Sequence, residues 1–412
     1  MKKAIKIIVY TFLLIPIIVL VYINIRLHTI PEIENQEETK HDVVLQLNFL
    51  EAELKNNNLG AKTQNLYPEG FVFINTLYGL TWTEVAKSEK NESELFKRAL
   101  SESRYAYKEI SSEYAKSIFD DRLKPEFGIF YRGWKNFLLA KTLSVQTKKD
   151  TTETAEFKAS CDSIASAILQ SNTPYLESYW NASWPADVFV AVASLKQHDE
   201  MFEPKYTTVI KNWLLKVKAN LDPETGMLSH ATNSKTGKTE VGARGSSICL
   251  MLILLADIDP EFAQEQFKLF KDEFPITRFG FLAVKEYPEG TNGNGDIDSG
   301  PVVWDIGFAG TVVATGTFKK FGEYEAVNNI SGCIEGFGFP LSNGTQKKFL
   351  FGQLPITDAF FAWARIQEPN KDLLQMKGNN IDLGSTMMFH IVSLLTIALV
   401  LYLVIRRERK LV

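Results

Sequence analysis

Cysteine is scarce, and its three copies, Cys161, Cys249 and Cys333, are an odd number at scattered positions. At most one disulfide can form, so the fold is not a stapled scaffold. No cysteine pair has metal-ligand spacing, and Cys249, inside an apolar run, reads as a small core residue. An excess of one charge is also lacking. The 45 basic and 49 acidic residues leave a net charge of −4, which gives no footprint for nucleic acid. Period-two alternation is weak, with residues 279–284 the clearest short strand. Nothing implies a metal, nucleotide, haem or other cofactor. Small residues are missing where a leader peptide would be cut, since the first apolar run exits through Tyr22-Ile23-Asn24-Ile25-Arg26-Leu27. An uncleaved anchor is the expectation.

Two apolar runs stand at the ends, residues 4–25 and 387–405, each close to the roughly 20 residues a helix needs to cross a bilayer. Lys2, Lys3 and Lys6 flank the first run, and Arg406, Arg407, Arg409 and Lys410 follow the second. Basic flanks stay cytoplasmic, so both termini are expected inside and the middle outside, periplasmic or extracellular, at the cell (inner) membrane. The expected division is an anchor over 1–26, a linker over 27–41 and a domain over 42–370. A second linker over 371–386, a membrane helix over 387–405 and a basic tail over 406–412 complete it. Asn91, Asn181, Asn329 and Asn343 each open a glycosylation sequon, which matters only in a host that glycosylates.

Apolar residues at helical period mark about twelve segments in the middle. They run roughly over 42–57, 69–88, 92–119, 130–146, 152–171, 185–197, 203–219, 243–256, 259–272, 301–318, 321–336 and 355–367. Even-numbered segments such as "DVFVAVASL" and "GSSICLMLILLA" are apolar on most faces, whereas "EFAQEQFKLFKDEF" carries charge on one side. Inner helices therefore alternate with outer ones. The expected fold is all-α: an (α/α)6 barrel, or six-hairpin toroid, flanked by two single transmembrane helices. An irregular helical solenoid is the competing arrangement.

In such a barrel the inner helices run parallel and their N-termini meet at one mouth. The segments before them are rich in polar and aromatic residues. They hold Tyr67-Pro68-Glu69, then Tyr131, Arg132 and Trp134, then Trp180, Trp184 and Asp187. Further on come Glu240 and Arg244, a loop from Glu289 through Asp296 and Asp298 to Trp304 and Asp305, and finally Asp358. Convergent polar groups over an apolar floor are the usual mark of a ligand pocket. Asp187, Asp298 and Asp358 also sit where aspartate caps helices, and Pro185, Pro301 and Pro355 where proline starts them. Capping does not account for the tryptophans. Asp187 and Asp298, with Asp305 and Glu289 behind them, are the candidate acid/base pair. Tyr131, Arg132, Trp134, Trp180, Trp184, Arg244, Trp304 and Asp358 are candidate substrate contacts, and Arg244 is expected to pair with a carboxylate. His230, in the polar run 229–238, reads as a surface residue at a hairpin tip, and Glu240 and Asp296 read as loop residues.

Over roughly residues 128–324 the chain resembles the linalool dehydratase/isomerase family, bacterial lyases with an α/α six-hairpin barrel. "YRGWKNFLLAKTL" looks like the family's Y-K-G-H helix, and "DVFVAVASL" resembles its central inner helix. "WLLKVKANLDPETGMLSHATNSKTG" is similar to its outer helix and D-P-x-x-G turn, and "ADIDPEFAQEQFKLFKDEF" matches another outer helix. "GTNGNGDIDSGPVVWDIGFAGTVVATGTFKKFGE" is similar to its Asp-Gly-rich loop and following helix. The resemblance implies a lyase or isomerase. At its chemistry the chain departs from the family. Trp134 stands where the family has a histidine, Asp187 stands where it places an acid/base thiol, and an upstream family thiol has no counterpart. The ligand classes left open are an apolar or extended small molecule, a glycan for a glycoside hydrolase, and, for a non-catalytic barrel, a glycan, lipid or protein of an envelope complex.

Overall fold

Helix α1 (Lys2–Arg26) precedes a helical domain built from α2 (Gln36–Asn56), short α3 (Leu59–Leu66), α4 (Gly70–Lys87) and α5 (Glu94–Ile110). Short α6 (Glu113–Lys116), α7 (Gly128–Ser144), α8 (Thr151–Gln170), α9 (Pro185–Met201) and α10 (Thr207–Lys218) continue it. After them come α11 (Gly245–Ile258), α12 (Pro260–Glu273), α13 (Phe308–Lys320), α14 (Tyr324–Phe337), α15 (Pro355–Ile366), short α16 (Lys371–Leu374) and α17 (Met387–Arg409). This computed structural model describes residues 2–29, 36–376, 381, 383 and 385–409, of which 2–9 and 407–409 only as backbone.

Helices α4, α7, α9, α11, α13 and α15 form a closed ring, each packed on the next and α15 on α4. Helices α2, α5, α8, α10, α12 and α14 lie outside it. Chemistry explains the division. Helix α11 is buried on nearly every face, whereas α12 buries Phe262, Ala263, Gln266, Phe267 and Phe270 and leaves its charges outside, as an amphipathic outer helix should. Glycines let the ring close up. A Cβ on Gly133 would meet the Ala191 Cβ and the Asp187 carbonyl at 3.1 Å, so α7 and α9 touch nearly backbone to backbone.

Closure joins residues more than 300 apart. Arg365 Nη1 donates to Asp42 Oδ2 at 2.5 Å, Lys347 Nζ to the same oxygen at 2.8 Å, and Gln46 Nε2 to Asp358 Oδ1 at 3.3 Å. Outer helices α5, α8 and α12 begin on side-chain caps from Ser93, Asp150 and Asp259. None of the six inner helices has a cap from its own N-cap side chain. Their first N–H groups add positive potential at that end of the ring.

Several boundaries differ from expectation: the segment expected over 92–119 breaks into α5 and α6, α3 falls between two expected segments, and α16 lies in the stretch read as the second linker. Helix α2 begins at Gln36, inside the stretch read as linker; residues 30–35 lie outside the described residues. Helix α13 begins at Phe308 rather than 301, because Val302–Val303 and Ile306–Gly307 pair as the hairpin β5–β6. The other hairpins are β1–β2 (Ala231–Thr232, Thr239–Val241), β3–β4 (Pro275–Arg278, Phe281–Val284) and β7–β8 (Leu341–Ser342, Lys347–Lys348). The first of these flanks the polar run around His230, and the second covers the expected strand. All three cysteines are free thiols.

The terminal helices pack side by side. His390 Nδ1 meets Asn24 Oδ1 at 2.6 Å, and the His28 and His390 rings stack at 5.1 Å. Helix α1 runs antiparallel to α14: Leu27 touches Gly332 and Gly336, Ile23 touches Gly336, and Tyr22 stacks on Phe339 at 5.6 Å. Arg26 is salt-bridged to the buried Glu335. Phe389 of α17 packs on Phe281 and Phe337. Going from Leu27 back to Tyr22 leads past the C-terminal end of α14, so the pair projects from the end of the barrel where the inner helices begin. Among the described residues, Met387–Arg406 is long and apolar enough to cross a membrane, while Tyr10–Arg26 is a shorter apolar helix. Of the basic flanks, the side chains of Lys2, Lys3, Lys6, Arg407, Arg409 and Lys410 lie outside the described residues.

Candidate active site

The N-termini of all six inner helices meet around a half-open cavity of about 110 Å³. Phe73, Phe130, Leu250, Val313 and Phe360 make its apolar wall; Glu69, Asp187, His230, Asp296 and Asp298 bring the polar groups. A larger depression of about 1000 Å³ lies at the opposite end of the ring. Its buried charges are matched there, Lys141 to Glu84 at 3.3 Å and Lys320 to Asp257 at 2.8 Å, which makes it a solvated, ion-paired face.

Asp187 sits in the first turn of α9, which Pro185 opens with its fixed φ. Ser178 Oγ donates to Asp187 Oδ2 at 2.5 Å. The fully buried Trp134 Nε1 has no close hydrogen-bond partner but lies near enough to favour the charged carboxylate. Burial outweighs both and, with the neighbouring Glu69 and Asp298 charges, pushes Asp187 up to about 7. Asp298 is pushed up to about 6 by burial, then by Glu69 and Asp296. Its outer side is solvent-exposed, so its rise is the less protected of the two. Glu69 is also raised, first by burial, while its own backbone N–H and the Tyr179 hydroxyl pull it down.

Arg244 organises the polar side. Its Nε donates to Glu286 Oε1 at 2.7 Å and its Nη1 to Asp296 Oδ2 at 2.5 Å. Asp296 also accepts from the Ser299 backbone N–H at 2.9 Å. These bonds overcome its burial and hold it at about 2, fixing the glycine-rich loop that carries Asp298. Arg244 Nη1 lies 3.3 Å from His230 Nε2. A guanidinium can only donate, which assigns the His230 proton to Nδ1, 2.5 Å from Ser247 Oγ. Burial and the Arg244 charge lower His230 to about 4, so the ring is neutral at neutral pH.

The structure brings Asp187, Asp298 and Trp184 to the cavity, with Trp134 behind Asp187. It places the other candidates elsewhere. Tyr131 is buried and spends its hydroxyl on the Ile110 carbonyl at 2.9 Å, and Arg132 pairs with Glu126 outside the ring. Trp180 is exposed beneath Arg122, and Trp304 is exposed at the β5–β6 tip. Asp305 pairs with Arg278, and with Glu289 it lines a separate groove. Asp358 is buried in the α15–α2 seam, accepting from the Phe349 N–H at 2.9 Å. Neither Asp187, Asp298 nor Asp358 caps a helix. Arg244 is ion-paired as expected, with Glu286 as a partner that the motifs did not single out. His230 lines the cavity instead of standing at the surface. Asp296 is part of the site, whereas Glu240 bonds only to Asn233 within its hairpin. Glu69, unmarked as a site residue in the sequence, is the third carboxylate. Among the described residues no three His, Cys, Asp or Glu side chains are grouped to hold a metal ion.

No family model and no curated protein matches the chain. Among solved structures it is similar to a GH76 alpha-mannanase of Bacteroides thetaiotaomicron, with a TM-score of 0.43 and 11% identity over 80% of this chain and 100% of that one. Likeness of that degree leaves function to the site's own geometry.

Proposed function

We propose that this is a membrane-anchored carboxylate acid/base enzyme of the lyase or isomerase type, acting on a small apolar alcohol in an extracytoplasmic barrel. The observation that carries the reading is that Asp187, Glu69 and Asp298 share one small, mainly apolar cavity. Near neutral pH, Asp187 retains its proton for part of the population while a neighbouring carboxylate is ionised. That is the division of labour general acid/base catalysis needs. Asp187 protonates the substrate hydroxyl, the C–O bond breaks and water leaves. Glu69 or Asp298 then takes a proton from the adjacent carbon, giving the alkene, and proton exchange between the carboxyls resets the site.

The cavity's lining supports the small-alcohol reading. The cavity of about 110 Å³ holds several waters, at about 10–15 Å³ each on that measure. Its wall of Phe73, Phe130, Leu250, Val313 and Phe360 suits a short alkyl alcohol, or the reacting end of a longer one. One observation favours glycoside hydrolysis as the second reading: Tyr179 and Trp184 meet edge to face at 5.6 Å on the cavity wall, a surface on which a sugar could stack. Purified full chain should be offered tertiary and allylic alcohols, and in parallel aryl glycosides, with alkene and phenol release followed. Turnover of alcohols, abolished in Asp187→Asn, supports the lyase; glycoside turnover supports the second reading. Activity that survives unchanged in Asp187→Asn would sink both.

A further inference from the structure

On the rim of the barrel that carries the site, two hairpins present aromatics at their tips. Phe279 and Gly280 form the two-residue tip of β3–β4, and Trp304 and Asp305 that of β5–β6. Both tips take left-handed backbone, with φ of 54° at Phe279 and 52° at Trp304, where Asn or Gly is the ordinary choice. Here the position is given to an aromatic, and both side chains are left outside, 64% and 65% exposed. They stack edge to face at 5.4 Å. Across the exit of the terminal helices, Phe351 stacks on Phe339 at 5.8 Å, again with left-handed backbone at both residues. Val303 is exposed beside Trp304.

This surface is continuous with the terminal helices. A Cβ on Gly280 would touch the Ser385 carbonyl just before α17, and Phe339 stacks on Tyr22 of α1. Both helices run outward from this end. At about 1.5 Å per residue, the apolar stretch Met387–Arg406 of α17 spans about 30 Å, the thickness of a hydrocarbon core. A membrane crossed by the pair therefore lies directly under the mouth.

We infer that the rim formed by Phe279, Val303, Trp304, Phe339 and Phe351 is seated in the lipid interface, and that substrate enters the cavity from the lipid side. Aromatic rings at headgroup level are the expected contact for such a surface. The inference rests on the membrane anchoring proposed above, and the occupant it commits to is the bilayer itself.

Tryptophan fluorescence tests it in a Trp180→Phe, Trp184→Phe background, because neither terminal helix contains tryptophan and Trp82, Trp134, Trp213 and Trp363 are buried in the domain, which leaves Trp304 as the exposed tryptophan. Full-length chain is reconstituted into phosphatidylcholine vesicles with plain or acyl-brominated chains, and flotation confirms insertion. The expected result is quenching by brominated lipid, most of it lost in Trp304→Phe and little of it in Trp213→Phe. Vesicle-bound protein whose Trp304 emission ignores brominated lipid overturns the docked rim while leaving the anchors standing. If Trp304 is then also shielded from aqueous iodide, the rim is covered by protein instead. Chain that fails to float overturns the anchoring and the inference with it.

Discussion

Replacing Asp187 by Asn should make the protein more stable, and only above a defined pH. Asp187 is 7% exposed on the cavity wall, and its carboxyl is raised from 3.8 to about 7. A folded state with the higher pKa holds its proton longer than the unfolded chain. Below about pH 4 both states are protonated and the residue is neutral in its effect. Between about pH 4 and 7 the unfolded chain ionises first, so stability falls as pH rises; above about 7 the loss is complete. Three units at 1.36 kcal/mol each come to about 4 kcal/mol. Asn keeps an oxygen for the Ser178 hydroxyl and never ionises, so it escapes that loss. For a domain of this size the difference amounts to a Tm about 6 °C higher than the parent at pH 8, shrinking toward zero at pH 4. Thermal unfolding of full chain and variant in detergent, scanned at several pH values, reads it directly. An equal difference at both pH values, or an Asn variant less stable at pH 8, would refute the reasoning about burial.

The same carboxyls set the activity profile. kcat/KM should peak between about pH 6 and 7, falling on the acid side as Asp298 takes up a proton and on the alkaline side as Asp187 loses its own; a rate still rising at pH 9 would contradict the assignment. Arg244→Ala strands Glu286, which is buried, and should cost about 3–5 kcal/mol, most of it recovered in Arg244→Ala with Glu286→Gln; no recovery by denaturant titration would mean that Arg244 matters for packing alone. Gly133→Ala forces α7 off α9 at the Asp187 carbonyl, and should cost about 1–3 kcal/mol together with a fall in kcat larger than any change in KM. Asp305→Asn and Glu289→Gln, in the neighbouring groove, should leave turnover within about twofold, a difference under about 0.5 kcal/mol.

The ring itself was legible in sequence, because inner and outer helices differ in kind: Gly, Ala and Val throughout "DVFVAVASL", against Lys and Glu down one side of α12. Which end carried the polar clusters was legible for the same reason. What could not be read was the direction in which each rim side chain faces. Trp184 and Trp304 look equivalent in sequence, yet one lies on the cavity wall and the other tops a hairpin whose two-residue turn lacks the usual Asn-Gly. Pro301 resembled a helix start, so the β5–β6 hairpin after it was hidden inside the expected helix. Glu69 lies in an ordinary Tyr-Pro-Glu turn, and its role depends on Asp187 and Asp298 arriving from more than 100 residues away. His230 was read as exposed because its own segment is polar; the Arg244 that covers it comes from another loop.

The seam between the last and first hairpins has a consequence for how the molecule is made. Asp42 and Gln46 of α2 wait for Lys347, Asp358 and Arg365, more than 300 residues later. At about 5–20 residues per second, the growing chain stands open along that edge for roughly 15 to 60 seconds. During that time the inner face of α4 is uncovered on the side that α15 will close. Synthesis thus proceeds as an unclosed arc, and arrival of α15, just ahead of the final helix, converts it into a ring.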